Sequence, residues 1–175
     1  MSHPNKIENK GDLLLKSLLT FYKKSQNMKK LYFYLSKDSK ISLRIFDFLC
    51  TKYIKTNNVI YYIEKNGRKI PFNLNVSYKA QLKAYSKLQF DPFKRHARIE
   101  IDCSLSPNKK ITTTIGQMNF FKFAIENKLT DWLEEKDNFK KIESEISSES
   151  KVKKKKPVKK ILTSTNDYHI TVTFK

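Results

Sequence analysis

The side chains able to do covalent or metal chemistry are few and scattered. Three histidines (His3, His96 and His169) and two cysteines (Cys50 and Cys103) share no spacing that makes a zinc site, a disulfide framework or a nucleophile–base pair. Both cysteines read as reduced and partly buried. Glycine occurs only at Gly11, Gly67 and Gly116, so neither a phosphate loop nor a dinucleotide fingerprint can be assembled. Glu100 and Asp102 sit two apart, where a pair of carboxylates could hold Mg²⁺ for phosphoryl chemistry. Their alternation with Arg98 favours ordinary cross-strand pairing instead. The expectation is a non-enzymatic protein with no catalytic residue, no metal ligand and no cofactor.

What the chain has in excess is positive charge. Of 175 residues, 36 are Lys or Arg against 17 Asp or Glu, a formal net charge of +19. Such a field attracts phosphate polymers or anionic membranes. Only four of the basic residues are Arg, and the abundance of Lys, Asn and Ile is what an AT-rich coding sequence produces. That bias does not remove Asp or Glu, so the excess needs a further reason. Seven lysines lie within residues 151–160, leaving +12 for the rest, and residues 39–133 alone carry +10. The charge is regional rather than confined to a tail.

Its sharpest concentration is Tyr78 to Arg98, where Lys79, Lys83, Lys87, Lys94, Arg95 and Arg98 interleave with Tyr85, Phe90 and Phe93. Lysines at successive helical turns can follow a phosphate backbone, and exposed aromatics can stack on bases. The alternative is an ordinary solvated lysine face over core aromatics, with Phe90-Asp91-Pro92-Phe93 as a packed turn. A second concentration is Lys153, Lys154, Lys155, Lys156, Lys159 and Lys160, read as a phosphate-binding arm, a nuclear-localisation signal or a solubilising linker.

The elements that must position these residues follow from periodicity. Residues 1–38 form an N-terminal basic segment with a short helix from Asp12 to Tyr22. A helix over 40–55, after the cap Ser39, sets Ile41, Ile45, Phe48, Leu49 and Tyr53 on one face. Asn66-Gly67 joins two apolar runs into a β-hairpin over 59–76, with Pro71 marking the second strand as edge or bulged. A helix over 77–88 turns Tyr78, Leu82, Tyr85 and Leu88 inward and aligns Lys79, Lys83 and Lys87 outward. Residues 97–103 alternate as a half-buried strand. Thr114 and Gln117 match a capping box opening a helix over 115–133. The acidic stretch that follows is expected to fray or restart.

These elements predict an α+β core domain over 39–146, a small antiparallel sheet packed against the three helices. Residues 147–160 read as a flexible Lys-rich linker. Residues 161–175 end in the alternating Tyr168 to Phe174, a candidate further strand that must add to a sheet in this chain or a partner. The N-terminus lacks an apolar signal core, and no apolar run approaches the roughly 20 residues that span a bilayer. A soluble intracellular protein without a membrane partner is expected.

Three stretches carry a family resemblance. Ser39-Lys-Ile-Ser-Leu-Arg-Ile-Phe-Asp-Phe48, Tyr78-Lys-Ala-Gln-Leu-Lys-Ala-Tyr-Ser-Lys-Leu-Gln-Phe-Asp-Pro-Phe-Lys-Arg95 and Thr113-Thr-Ile-Gly-Gln-Met-Asn-Phe-Phe-Lys-Phe-Ala-Ile125 resemble uncharacterised basic proteins of giant, mimivirus-like double-stranded DNA viruses. The resemblance spans residues 39–133. It carries over no functional residue, but it implies a setting, the viral factory in the host cytoplasm or the virion interior, and lowers the weight of a nuclear-localisation signal.

The leading expectation is binding of DNA or RNA with little sequence preference, in genome packaging, core organisation or viral gene expression. About six phosphate contacts would give a log–log salt slope of roughly −5 on duplex DNA. The rival is a structural or adaptor protein that meets acidic viral partners, or itself, through its C-terminal strand. Deletion of residues 161–175 separates the two.

Overall fold

A computed structural model describes residues 10–36, 39–93, 97–103, 105 and 109–155. Nine short α-helices and two two-stranded antiparallel ladders make up the described residues, an α+β fold in agreement with the sequence. No helix among them is long and apolar enough to cross a membrane.

The core is organised on α7 (Ile115–Glu126), in which Met118, Phe120, Phe121 and Ala124 are fully buried. Thr114 caps it, its hydroxyl accepting from the Gln117 N–H at 3.1 Å. The reciprocal half of the expected capping box is absent. The Gln117 side chain instead accepts from the Thr113 hydroxyl at 3.0 Å and donates to the Pro92 carbonyl at 3.4 Å. The helix expected to continue to 133 is interrupted at Lys128, whose left-handed backbone (φ 56°) separates α7 from α8 (Leu129–Glu134). The turn keeps Leu129 and Leu133 buried while changing direction.

Two helices cover α7 from the N-terminal side, α1 (Lys10–Tyr22) and α2 (Ser25–Leu35). Within the expected N-terminal basic segment, residues 10–35 therefore contribute to the core. Leu18, Tyr22, Leu31 and Tyr34 are buried, the Tyr22 hydroxyl donates to the Met118 carbonyl at 2.7 Å, and Tyr34 stacks on Phe121 at 5.7 Å. Burial and the Glu134 carboxylate, which accepts from its hydroxyl, push the Tyr34 phenol far above its ordinary pKa. It remains a donor at any working pH. Phe46, edge-on to Tyr34, Phe120 and Phe121, joins the cluster from the third side. Such ring pairs contribute roughly 0.5–1.5 kcal/mol each beyond their burial.

Phe46 belongs to α3 (Leu43–Phe48), which begins after Ser42 rather than Ser39. The Ser39 hydroxyl instead accepts from the Ile41 N–H and fixes the preceding turn. The expected helix over 40–55 is not uniform. It widens into a π-helical turn over Leu49–Tyr53 and closes with α4 (Ile54–Thr56). The extra residue rotates the following side chains, so that Cys50 and Ile54 are buried where an unbroken 3.6 period assigned Tyr53.

The hairpin pairs β1 (Ile60–Lys65) with β2 (Arg68–Asn73) around Asn66 and Gly67, both at positive φ. That is the mirror-image turn an Asn-Gly pair adopts. Tyr61, Ile63 and Phe72 face the core, and Pro71 sits on a strand with no second neighbour among the described residues, where its missing N–H costs nothing. The strand expected to run to 76 stops at Asn73, because the Asn73 side chain accepts from the Val76 N–H and caps α5 (Leu74–Ala84). β3 (Ile99–Asp102) pairs not with the hairpin, as expected, but with β4 (Lys110–Thr113), a strand the sequence reading did not identify.

The remaining departure is at the C-terminal side. The acidic stretch, expected to fray or restart, restarts as α9 (Lys136–Lys155), anchored by the fully buried Ile142 and a Lys52–Glu149 ion pair, and this helix continues through residues 147–155 of the expected flexible linker. The candidate strand 168–174 lies outside the described residues.

Candidate nucleic-acid interface

The segment expected as one helix over 77–88 folds as two. α5 ends at Ala84, and Ser86 and Gln89 form a capping box that starts α6 (Lys87–Phe90). The expected single stripe of Lys79, Lys83 and Lys87 is therefore broken. Lys79 and Lys83 share a face of α5, while Lys87 opens α6. All three are exposed, and among the described residues none has an ion-pair partner. Leu82 and Leu88, expected inward, are 47% and 62% exposed, and Leu88 belongs to the second helix rather than to the face of Tyr78.

α6 is short, and α7 holds it. The Asn119 side chain donates to the Gln89 carbonyl at 3.0 Å, and Gln117 reaches Pro92. Gly116 lies so close beneath that a Cβ there would stand 2.8 Å from the Asp91 carbonyl oxygen. Phe90 is fully buried, in ring contact with Tyr78, Tyr85, Phe120 and Phe123, so it is not an exposed stacking platform. Phe90-Asp91-Pro92-Phe93 is a packed turn, the Asp91 carboxylate accepting from the Phe93 N–H at 3.1 Å.

Between the π-helical turn and α5 and α6 runs a groove of about 380 Å³. Its apolar lining includes Ile54, Tyr78, Leu82 and Phe93, and its polar lining Lys55, Lys79 and Lys87 opposed by Asp47 and Asp91. Lys55 was not among the sequence candidates, since nothing in its spacing ties residue 55 to residues 79–87. Cys50 forms part of the floor. Burial, with the Asp47 charge added, pushes its thiol far above the ordinary range, which keeps it protonated and unreactive. A larger depression of about 630 Å³ lies against α9, lined by Lys40, Lys136 and Lys140 with Glu134 and Glu143, the same ratio of lysines to carboxylates as in the groove.

The other sequence candidates divide. Arg98 is exposed at the entry to β3, outside the groove. Lys94 and Arg95 lie outside the described residues, as do His3, His96 and His169. Lys153, Lys154 and Lys155 lie on the last turns of α9, and Lys156, Lys159 and Lys160 beyond the described residues. Glu100 pairs across the β3–β4 ladder with Lys110 at 3.5 Å, the cross-strand pairing expected of it. Among the described residues no three His, Cys, Asp or Glu side chains gather as metal ligands would. A second exposed basic group, Lys65, Arg68 and Lys69, surrounds the hairpin tip. The Asn66-Gly67 turn was the available signal for it.

Comparison with known proteins supports the resemblance to uncharacterised giant-virus proteins. Over 122 residues, 68% of its length, the chain is 37% identical to an uncharacterised protein of Acanthamoeba polyphaga mimivirus, and it spans 46% of that protein's length. No solved structure matches. A family model described as a family of unknown function (DUF7197) matches residues 4–172, nearly the whole chain, and the protein therefore belongs to that family.

Proposed function

We propose that this protein is a non-enzymatic, basic nucleic-acid-binding protein of a giant DNA virus. It would act in the viral factory or virion interior, in genome packaging, core organisation or viral gene expression. One observation carries the reading: Lys55, Lys79 and Lys87 line one groove, Lys83 shares a face of α5 with Lys79, and all four are exposed with no ion-pair partner among the described residues. Lysines already paired with carboxylates gain little from phosphate. Unpaired ones release condensed counterions from the nucleic acid when they bind, which favours association at low salt.

Four such contacts give a log–log slope of affinity against salt of roughly −4 on duplex DNA, shallower than six would give. Replacing Lys79, Lys83 and Lys87 together by Gln should reduce the magnitude of that slope by roughly 3, since each phosphate contact adds about one. Fluorescence anisotropy across a salt series reads this directly. An unchanged slope in the triple variant, or no binding by the parent protein at low salt, overturns the proposal.

A second reading, an adaptor that meets acidic viral proteins or self-associates by strand addition, draws support from the hairpin. Its outer face exposes Ile60 and Tyr62, and neither strand has a second neighbour among the described residues.

A further inference from the structure

We infer that the groove between the π-helical turn and α5 receives an unpaired base of a single-stranded nucleic acid, so that the protein prefers single strands over duplexes. This rests on the nucleic-acid reading above and adds what occupies the site.

The groove's volume of about 380 Å³ falls within the roughly 300–1,000 Å³ of pockets that enclose small organic groups. Its walls are largely apolar, with Tyr78 and Phe93 presenting ring surface and Leu82 exposed at the edge. That is a lining for a flat aromatic heterocycle rather than for a bare phosphate. The three lysines Lys55, Lys79 and Lys87 lie along the same lining, where they can take the phosphates flanking an inserted base.

The specific feature is Asn75, in the first turn of α5. Asn75 lines the groove, and its side-chain oxygen is buried with no hydrogen-bond partner among the described residues. A buried acceptor left unpaired costs roughly 1–3 kcal/mol, and a ligand that brings a donor recovers part of it. Every base carries an N–H donor on its Watson–Crick edge. In a duplex the Watson–Crick N–H groups face the opposite strand and the donors left in the grooves stay fixed in the base stack, so only an unpaired base can swing out and carry a donor into the groove to Asn75. The same acceptor thus selects strand state while tolerating sequence.

The test titrates the full chain with fluorescein-labelled 12-mers, single-stranded poly(dC) and poly(dA) and a mixed-sequence duplex of the same length, at fixed salt. Tighter binding of both single strands than of the duplex is expected. Asn75→Leu should weaken single-strand binding roughly five- to tenfold, the equivalent of one hydrogen bond, and leave duplex binding unchanged. Asn75→Asp, which keeps an acceptor, should retain the preference for single strands.

Equal affinity of the parent protein for single strands and duplex overturns the base-pocket assignment while leaving the lysine reading intact. That comparison needs no variant to fold. Absence of binding to any of the three probes overturns both.

Discussion

Gly116→Ala tests whether α6, and with it Lys87, is held rigidly against α7. Position 116 is helical, so in open space alanine would stabilise by up to about 1 kcal/mol. The space is not open. The new Cβ would lie 2.8 Å from the Asp91 carbonyl oxygen and 3.2 Å from that of Leu88. Both are backbone atoms of a segment whose Asp91 N–H is already bonded to the Lys87 carbonyl and whose next residue is Pro92. They cannot swing aside as a flexible side chain would. Relief requires moving α6 by several tenths of an ångström, which lengthens the 3.0 Å bond from Asn119 to Gln89. Overpacking of this kind costs roughly 1–3 kcal/mol. Set against the helical gain, the net expectation is a destabilisation of about 1–2 kcal/mol. Urea unfolding followed by the fluorescence of Trp132, the single tryptophan, measures it. The midpoint should fall with the denaturant dependence unchanged. A variant as stable as the parent, or more so, would show that α6 shifts freely and would remove the argument that α7 positions Lys87.

Two further outcomes follow from the core and its rim. Tyr22→Phe removes the buried hydroxyl that donates to the Met118 carbonyl, and should lower stability by about 1 kcal/mol in the same urea assay. Asp131 sets an acid limit. Burial disfavours its charge, but Lys30, bonded to it, with Thr130 and Lys128, outweighs that and holds its carboxyl below the usual 3.8. A folded-state pKa below the unfolded one contributes stability that is complete above about pH 4 and is lost as the pH falls through the folded value. Asp131→Asn should flatten the fall in melting temperature below pH 4 relative to the parent. An identical acid profile would remove the assignment.

The parts of this fold legible in the sequence are those with a local cause. Thr114 with Gln117 announced α7, Asn66-Gly67 announced the hairpin, and Ile101 and Cys103 announced the buried side of β3. Other features had signals that stronger patterns hid. Ser86 and Gln89 form a capping box as clear as the one at 114, yet the regular spacing of three lysines suggested that the helix ran through it. In α2 the apolar residues Met28, Leu31 and Leu35 keep helical spacing, but the surrounding lysines made the segment read as a charge run. Still others had no local cause. β4 is four residues long and held by pairing to β3, and the π-helical turn inserts one residue that no periodicity announces. The candidate site shows the same division. The lysines were visible as types, whereas Lys55 and Asn75 join them only because the turn and α5 face each other across a groove.

The bond from Tyr22 to Met118 and the stack of Tyr34 on Phe121 also fix an order of events during synthesis. The buried stripes of α1 and α2 find their partners only after α7 has been made, 96 residues later in the case of Tyr22. At roughly 5–20 residues per second, a nascent chain carries those stripes uncovered for roughly 5–20 s. These two helices are thus made well before the helix that buries them, and during that interval their apolar and lysine side chains are open to a chaperone.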